Sequence, residues 1–434
     1  MSIEQYIKDK YADVSDWFVQ ECNSYANQKR IMEVLDTKEY LDGKHRIIQR
    51  GNEVWNGNIY ETRKIVLNYA KTLISFHANY LLTKGITITG DERAVKEFKR
   101  VHIKGKYDRI NYDILNKVLK YGMAAEYVFL DIDKTIKSTI IDPADSYPVI
   151  DDENNYVAFI QHYSIDNVDY YTVYYPDTVQ KYNNKGGQLR LIGKYSNLSG
   201  LPIIYLNSSE TDENTGRSDV SEYISILDGM EDLLSKFSDS FYKHHNPIPV
   251  TIGQEIKGSG INPNLVGQGL QLDDGADFKM VTTELDTNSF QTVWKTLLQA
   301  LLDVSQTPAV SMNKTDISNL SEVSVKLLFS LANIKASQNE RIMREGIEKR
   351  FEQIRKLLAY QGITLRDDEF DSLSIVFTYA TPQNAKETID NLKTLNDMGA
   401  ISLQSILEHS PYTTDVVQEM ERLKENQRGY EGRK

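Results

Sequence analysis

The spacing of apolar residues changes along the chain, and the changes mark its elements. Residues 1–40 follow a helical pattern that reads as two helices, and 43–59 carry no regular period. From Asn58 to Leu82, the residues Ile65, Tyr69, Leu73, Phe76 and Tyr80 recur every three or four positions, which predicts a helix. "KGITITG" alternates as a short strand closed by Gly90, and helices follow over Glu92–Arg100 and Tyr107–Gly122. Between Glu126 and Tyr205 the period becomes two. "EYVFLDID", "TIKSTIID", "YVAFIQHYS", "DYYTVYYPD", "TVQKYNN" and "QLRLIGKYS" read as strands, with "NNKGG" at 183–187 as a hairpin turn.

The clearest helix is Asp219–Tyr242, striped by Val220, Tyr223, Ile224, Leu227, Met230, Leu234, Phe237 and Phe241. At about 1.5 Å per residue it should run roughly 35 Å. The prolines of "HHNPIPVTIG" end it. Residues 248–283 then read as a small mixed unit, with "IPVTIG", "GLQLDD" and "FKMVTT" as strands. Asn288–Val304 is helical again, with Val293, Trp294, Leu297, Leu298 and Leu301 on one side. A soft polar loop, "SQTPAVSMNKTDISN", leads into Leu320–Tyr360, one long helix with room for a kink. Its middle, "NIKASQNER", is poor in large apolar residues and is expected to face water or a neighbouring subunit. "LSIVFTYA" alternates as a strand. Thr381 and Pro382 start a helix striped by Ala385, Ile389, Leu392, Leu395 and Met398 and stopped by Gly399. "SLQSILEH" and "SPYTTDVVQEMERLKEN" are further helices, the second with the same start signal at Ser410 and Pro411. The expected class is α+β, mainly helical.

Composition narrows the function. A chain of 434 residues, 40% hydrophobic and 26% charged, has material for two to four cooperative units. Its formal charge of -12 argues against a simple cationic clamp on nucleic acid, though not against a protein that lets DNA pass. One cysteine, Cys22, leaves no intrachain disulfide. No run of 18 apolar residues predicts a membrane span, and the acidic, amphipathic first twenty residues do not read as a signal peptide.

Candidate chemistry is sparse. There is no G-x-x-x-x-G-K-[ST], no H-E-x-x-H and no G-x-S-x-G, so neither an ATPase nor a hydrolase announces itself. His244 and His245 diverge by about 100° on a helix and make a poor shared metal site. Asp131 and Asp133 in "FLDIDK", with Asp142, Asp145, Asp151, Asp152 and Glu153, admit a magnesium-dependent nuclease, but they also read as turn chemistry. Tyr170, Tyr171, Tyr174 and Tyr175 read as ordinary sheet residues, or else as a stacking platform for bases. The densest basic run, "KEFKRVHIKGKYDR" at 96–109, reads as a solvated face, or as a contact with DNA or an acidic neighbour.

Three stretches carry a resemblance. "NTGRSDVSEYISILDGMEDLLSKFSDSF" at 214–241 joins a G-x-S-D start, a long helix and a small domain. "NYLLTKGITITG" at 79–90 delivers a helix into a strand, and "NLSEVSVKLLF" at 319–329 opens the long helix. Together, and in this order over roughly residues 40–425, they resemble tailed-bacteriophage portal proteins of the SPP1-like class, although that family often has glycine and alanine at the last of them. The resemblance implies a portal fold of wing, stem, clip and crown, and a ring at one capsid vertex, usually of twelve copies. Residues 1–218 would form N-terminal helices and a β-rich wing, 219–243 and 288–304 the two stem helices, and 244–287 the clip. Residues 305–319 would form the channel loop, 320–380 a long wing helix and returning strand, and 381–434 a helical crown and tail.

The same resemblance implies packing residues on the stem (Tyr223, Leu227, Leu234, Phe237, Trp294, Leu298). It puts His244 and His245 where the clip begins, and Asn313, Lys314, Thr315 and Asp316 on the channel loop. It implies a virion protein, assembled in the host cytoplasm, that is neither an enzyme nor a cofactor or metal binder and has no membrane partner. Its partners would be further copies of itself, the large terminase subunit, the major capsid and scaffolding proteins, head-completion or tail adaptor proteins, and double-stranded DNA passing non-specifically. The rival readings are the nuclease and another self-assembling capsid or tail adaptor.

Overall fold

The computed structural model of the chain describes residues 3–55, 58–210, 214–244, 248–253, 274–281, 285–309, 322–382 and 385–413, with 416, 419, 420, 422 and 423. The elements are α1 (Ile3–Tyr11), α2 (Trp17–Cys22), α3 (Tyr25–Leu41), β1 (Glu53–Trp55), β2 (Asn58–Tyr60), α4 (Tyr69–Leu82), β3 (Ile86–Thr89), α5 (Glu92–Gly105) and α6 (Tyr107–Tyr121). Then come β4 (Met123–Leu130), β5 (Ile136–Ile141), β6 (Ser146–Ile150), β7 (Tyr156–Ile165), β8 (Val168–Tyr174), β9 (Thr178–Asn183), β10 (Arg190–Ser196) and β11 (Ile203–Leu206). The remainder are α7 (Val220–His244), β12 (Ile248–Ile252), β13 (Asp277–Val281), α8 (Thr287–Val304), α9 (Glu322–Leu328), α10 (Ser330–Tyr360), α11 (Asp367–Asp371), β14 (Ser374–Phe377), α12 (Ala385–Asp397) and α13 (Leu403–His409). The class is α+β. The chain divides into two compact units, one of residues 1–75, 116–129 and 138–305, the other of 76–115, 130–137 and 306–434.

The first unit is built on an antiparallel sheet in the order β10-β9-β8-β7-β6. Because side chains alternate across a strand, Ala158, Ile160, Tyr171 and Val173 point to one face and Phe159, Tyr174 and Val179 to the other. Tyr6, Trp17, Phe18 and Cys22 of α1 and α2 cover the first face, and Ala125 and Ile141 of the β11-β4-β5 sheet cover the second. With both faces covered at β7 and β8, Tyr171 and Tyr174 are core residues on opposite sides, while Tyr170 stacks on Tyr163 at 5.3 Å. The four tyrosines therefore form no single platform for bases. Three helices stand where the period predicted two, because Ser24 caps α3 through the Asn27 N–H at 3.4 Å. Sheet strand β6 escaped the period reading because it contains Pro148, which an edge strand tolerates.

The predicted helix over Asn58–Leu82 is wrong for nearly its first half, residues 58–68. Residues 58–60 pair with 53–55 as a hairpin, and the helix begins only at Tyr69. The residues between are extended because their amides are bonded to distant side chains, as described below.

In the second unit α10 is the spine. Ile347, Phe351, Ile354, Leu357 and Leu358 are buried along it, and Phe98 of α5 meets Phe351 at 4.7 Å. The fully buried Arg350 donates to Asn111 Oδ1 at 2.7 Å and lies 4.9 Å from the centre of the Tyr107 ring. Phe329 interrupts the long helix between α9 and α10 and stacks on Tyr80 of α4 at 5.9 Å. The apolar-poor stretch 333–341 does not simply face water. Ala336 and Asn339 on it are buried, small residues where the helix is packed closely. β3 pairs with β14. The Thr381 hydroxyl bonds Tyr80 at 2.7 Å, and α12 starts at Ala385; its Ile389, Leu395 and Met398 are exposed.

Candidate functional site

The longest helix of the first unit, α7, is held at its start, along one face and near its far end. Its start explains the G-x-S-D motif. Gly216 lies against Gly122 so tightly that a Cβ on Gly216 would come within 1.8 Å of the Gly122 carbonyl oxygen. The Ser218 hydroxyl donates to the Lys120 carbonyl and accepts from the Val220 N–H at 3.1 Å, as an N-terminal cap does. The Asp219 N–H donates to the Leu119 carbonyl at 2.9 Å, and Asn207 donates to the Asp219 carboxylate at 2.7 Å. The motif thus welds the first turn of α7 to the end of α6.

Along α7, Glu231, Ser235 and Asp239 recur at i, i+4 and i+8 on one buried face. Each accepts a backbone N–H from the extended segment 61–68: Leu67 to Glu231 at 2.8 Å, Ile65 to Ser235 at 3.0 Å and Arg63 to Asp239 at 2.9 Å. The fit is one of pitch. Four helical residues rise about 6.0 Å and two extended residues about 6.6 Å, so every second amide meets every fourth side chain. Two of the acceptors also hold bases from the preceding loop. Asp239 takes Arg50 at 2.8 Å, and Glu231 takes His45 at 2.6 Å beneath the stacked ring of Tyr40. Burial pushes the Glu231 carboxyl up, against the Leu67 N–H and His45, which favour its ionised form. Burial likewise pushes up Asp228, against Arg46 and His45.

The far half of α7 is clasped by α8, whose first turn is capped by Asp286 accepting from the Ser289 N–H at 2.9 Å. Phe237 stacks on Phe290 at 3.9 Å and 19°, and Phe290 is followed by Trp294 at 6.2 Å. The described parts of the connection between the helices are the paired strands β12 and β13.

Of the stem residues named from the sequence, Tyr223 and Leu227 are buried, and Leu234, Phe237, Trp294 and Leu298 are half-buried. Phe290 completes the aromatic stack and was missed, although it lies four residues before Trp294 on the same helical face. The seam of Glu231, Ser235 and Asp239 was missed too, and its i, i+4, i+8 spacing was the available signal. His244 is the last residue of α7; His245 and all of Asn313, Lys314, Thr315 and Asp316 lie outside the described residues.

Four of the acidic candidates for a nuclease, Asp131, Asp133, Asp142 and Asp151, are engaged in turns. Asp131 bonds Lys137 and the Ile132 N–H, and Asp133 accepts from the Thr135 N–H at 2.9 Å across a turn with Lys134 at φ +60°. Asp142 caps a short helical turn through the Ala144 N–H and holds Lys38 and Lys117. Burial pushes Asp151 up, but donation from Asn155 and Glu153 outweighs it and holds the carboxyl at about 2. Among the described residues no three His, Cys, Asp or Glu side chains are grouped to hold a metal ion.

No curated protein matches the chain. Among solved structures it is similar to a chain in the neck of an empty gene transfer agent particle, at 10% identity and a TM-score of 0.49 over 77% of this chain and 86% of that one. It is similar also to a chain of the native gene transfer agent virion, at 11% identity and a TM-score of 0.46 over 77% and 87%. A family model described as "Phage portal protein, SPP1 Gp6-like" matches residues 23–433, nearly the whole chain. On that match the chain belongs to the SPP1 Gp6-like family of phage portal proteins.

Proposed function

We propose that this chain is the repeating subunit of a ring at one vertex of a phage capsid. Through that ring double-stranded DNA is packed and later leaves. Family membership carries the reading, and the braced α7–α8 pair supports it: a strut that must carry load is fixed at its start by Gly216 and Ser218, along its face by Glu231, Ser235 and Asp239, and by α8 at its far end. In this reading α7 and α8 are the stem, and 244–287 between them is the clip on which the large terminase and later the head-completion proteins dock. The loop 305–319 projects into the channel, the β-rich first part with α10 is the wing, and 381–434 is the crown. A closed ring needs heterologous contacts, each copy meeting the next with a different surface. Each copy brings a formal charge of -12, which favours passage of a phosphate-lined duplex over capture where that charge faces the channel.

Negative-stain imaging of the purified protein tests this. Rings with a central passage wide enough for duplex DNA are expected, twelve-fold in the virion. Closed shells, or particles without a passage, overturn it.

A further inference from the structure

One surface runs against the charge of the rest of the chain. Residues 91–109, α5 with its cap and the corner beyond it, hold seven lysines and arginines against Asp91, Glu92, Glu97 and Asp108, a net +3, which leaves -15 for all other residues of a chain at -12. At about 100° per residue, Lys96, Lys99, Arg100 and Lys104 fall within an arc of roughly 140° on α5. They lie opposite its buried Ala94, Phe98 and Val101. The arginines are spent within the chain: Arg93 on Glu369 at 3.1 Å, Arg100 on Glu97 at 2.7 Å and Arg109 on Asp113 at 3.6 Å. The lysines are not. Lys96, Lys99, Lys104 and Lys106 are exposed, and their ammonium groups have no partner among the described residues.

The corner that presents two of them is strained. A Cβ on Gly105 would lie 2.4 Å from the Tyr107 ring, so the glycine is needed at 105 for packing. The left-handed position that ends α5 then falls to Lys106, at φ 56°, where glycine is the usual residue.

We propose that this face of α5 and its corner with α6 contact the phosphate backbone of duplex DNA. Free ammonium groups on flexible stems suit sequence-independent phosphate contact, whereas planar recognition of carboxylates favours arginine. The roughly 12 Å from Lys96 to Lys104 runs beside about seven phosphate charges of a duplex, both strands counted. Ile103 is the lone large apolar side chain exposed on α5, without the apolar cluster at the heart of a protein interface. The choice of duplex DNA as occupant rests on the portal reading; the existence of the basic face does not.

The test is fluorescence anisotropy of a 30-base-pair duplex of arbitrary sequence with the purified full-length protein, titrated at several salt concentrations. The variants are Lys96→Gln/Lys99→Gln/Lys104→Gln/Lys106→Gln, and Lys106→Gly alone. The fourfold variant should lose at least tenfold in affinity at low salt and flatten the slope of log K against log[salt] by about 3 to 4. Lys106→Gly should raise the melting temperature by relieving the left-handed residue and yet weaken DNA binding, a pair of effects that a purely structural lysine would not give. Unchanged affinity and slope in the fourfold variant overturn the proposal, as does loss of binding to polyglutamate but not to DNA. If rings form and the slope is unchanged, this site fails and the portal reading stands. If the slope falls and no rings form, the site stands and the portal reading fails.

Discussion

Asp239 serves two donors at once, the Arg63 amide and the Arg50 guanidinium, from a position that is 8% exposed. Asp239→Ala takes away the acceptor of the Arg63 amide and one of the two carboxylates on the Arg50 guanidinium, leaving Glu53 at 2.7 Å, and should cost about 2–4 kcal/mol, read as a lower urea midpoint for unfolding. Asp142 gives a different signature. Burial pushes its carboxyl up, but Lys38, the Ala144 N–H and Lys117 outweigh that, so its pKa in the folded protein lies below the ordinary value. A depressed carboxyl contributes stability that is complete above about pH 4 and lost as pH falls through the folded value. Melting temperature followed from pH 7 to pH 3 should therefore fall less steeply for Asp142→Asn, which starts from a lower value at pH 7. Neither role was legible in the sequence. Asp142 read as turn chemistry or as a carboxylate of a magnesium-dependent nuclease, and its two lysines lie 104 and 25 residues away in the chain.

At the scale of elements, helices that bury one continuous stripe could be read directly: α7 and α8 match their predicted spans to within two residues. The stripe of Ile65, Tyr69 and Leu73 misled because a period tests local geometry only, and the amides of 63, 65 and 67 are claimed by side chains more than 160 residues later. Hydrogen exchange should show these three amides protected although they belong to no sheet, and Ser235→Ala should speed exchange at Ile65 most. For the clasp, a double-mutant cycle of Phe237→Ala and Phe290→Ala should return a coupling of about 0.5–1.5 kcal/mol. A coupling near zero would mean that the rings merely lie side by side.

At the scale of the molecule, the order of elements identified the family, and the placing of individual functional residues lagged behind. Asn313, Lys314, Thr315 and Asp316 are polar residues that the family resemblance puts on the channel loop. Removing residues 309–318 should leave ring formation intact while impairing DNA packaging or retention, scored by ring images together with the DNA content of filled heads. Normal packaging by that deletion would remove the loop from the mechanism.

The fit between α7 and the segment beside it works as a vernier. Its two scales, about 6.0 and 6.6 Å, agree over three rungs but drift by about 0.6 Å at each step, and the tolerance of a hydrogen bond is of that order. A fourth rung would miss, and two residues beyond Leu67 the chain turns into α4. Since main-chain amides read the scale, proline should be excluded at 63, 65 and 67 whatever side chains stand there, whereas the buried Thr62 is held to its identity by the hydroxyl that it donates to the Gly51 carbonyl at 3.1 Å.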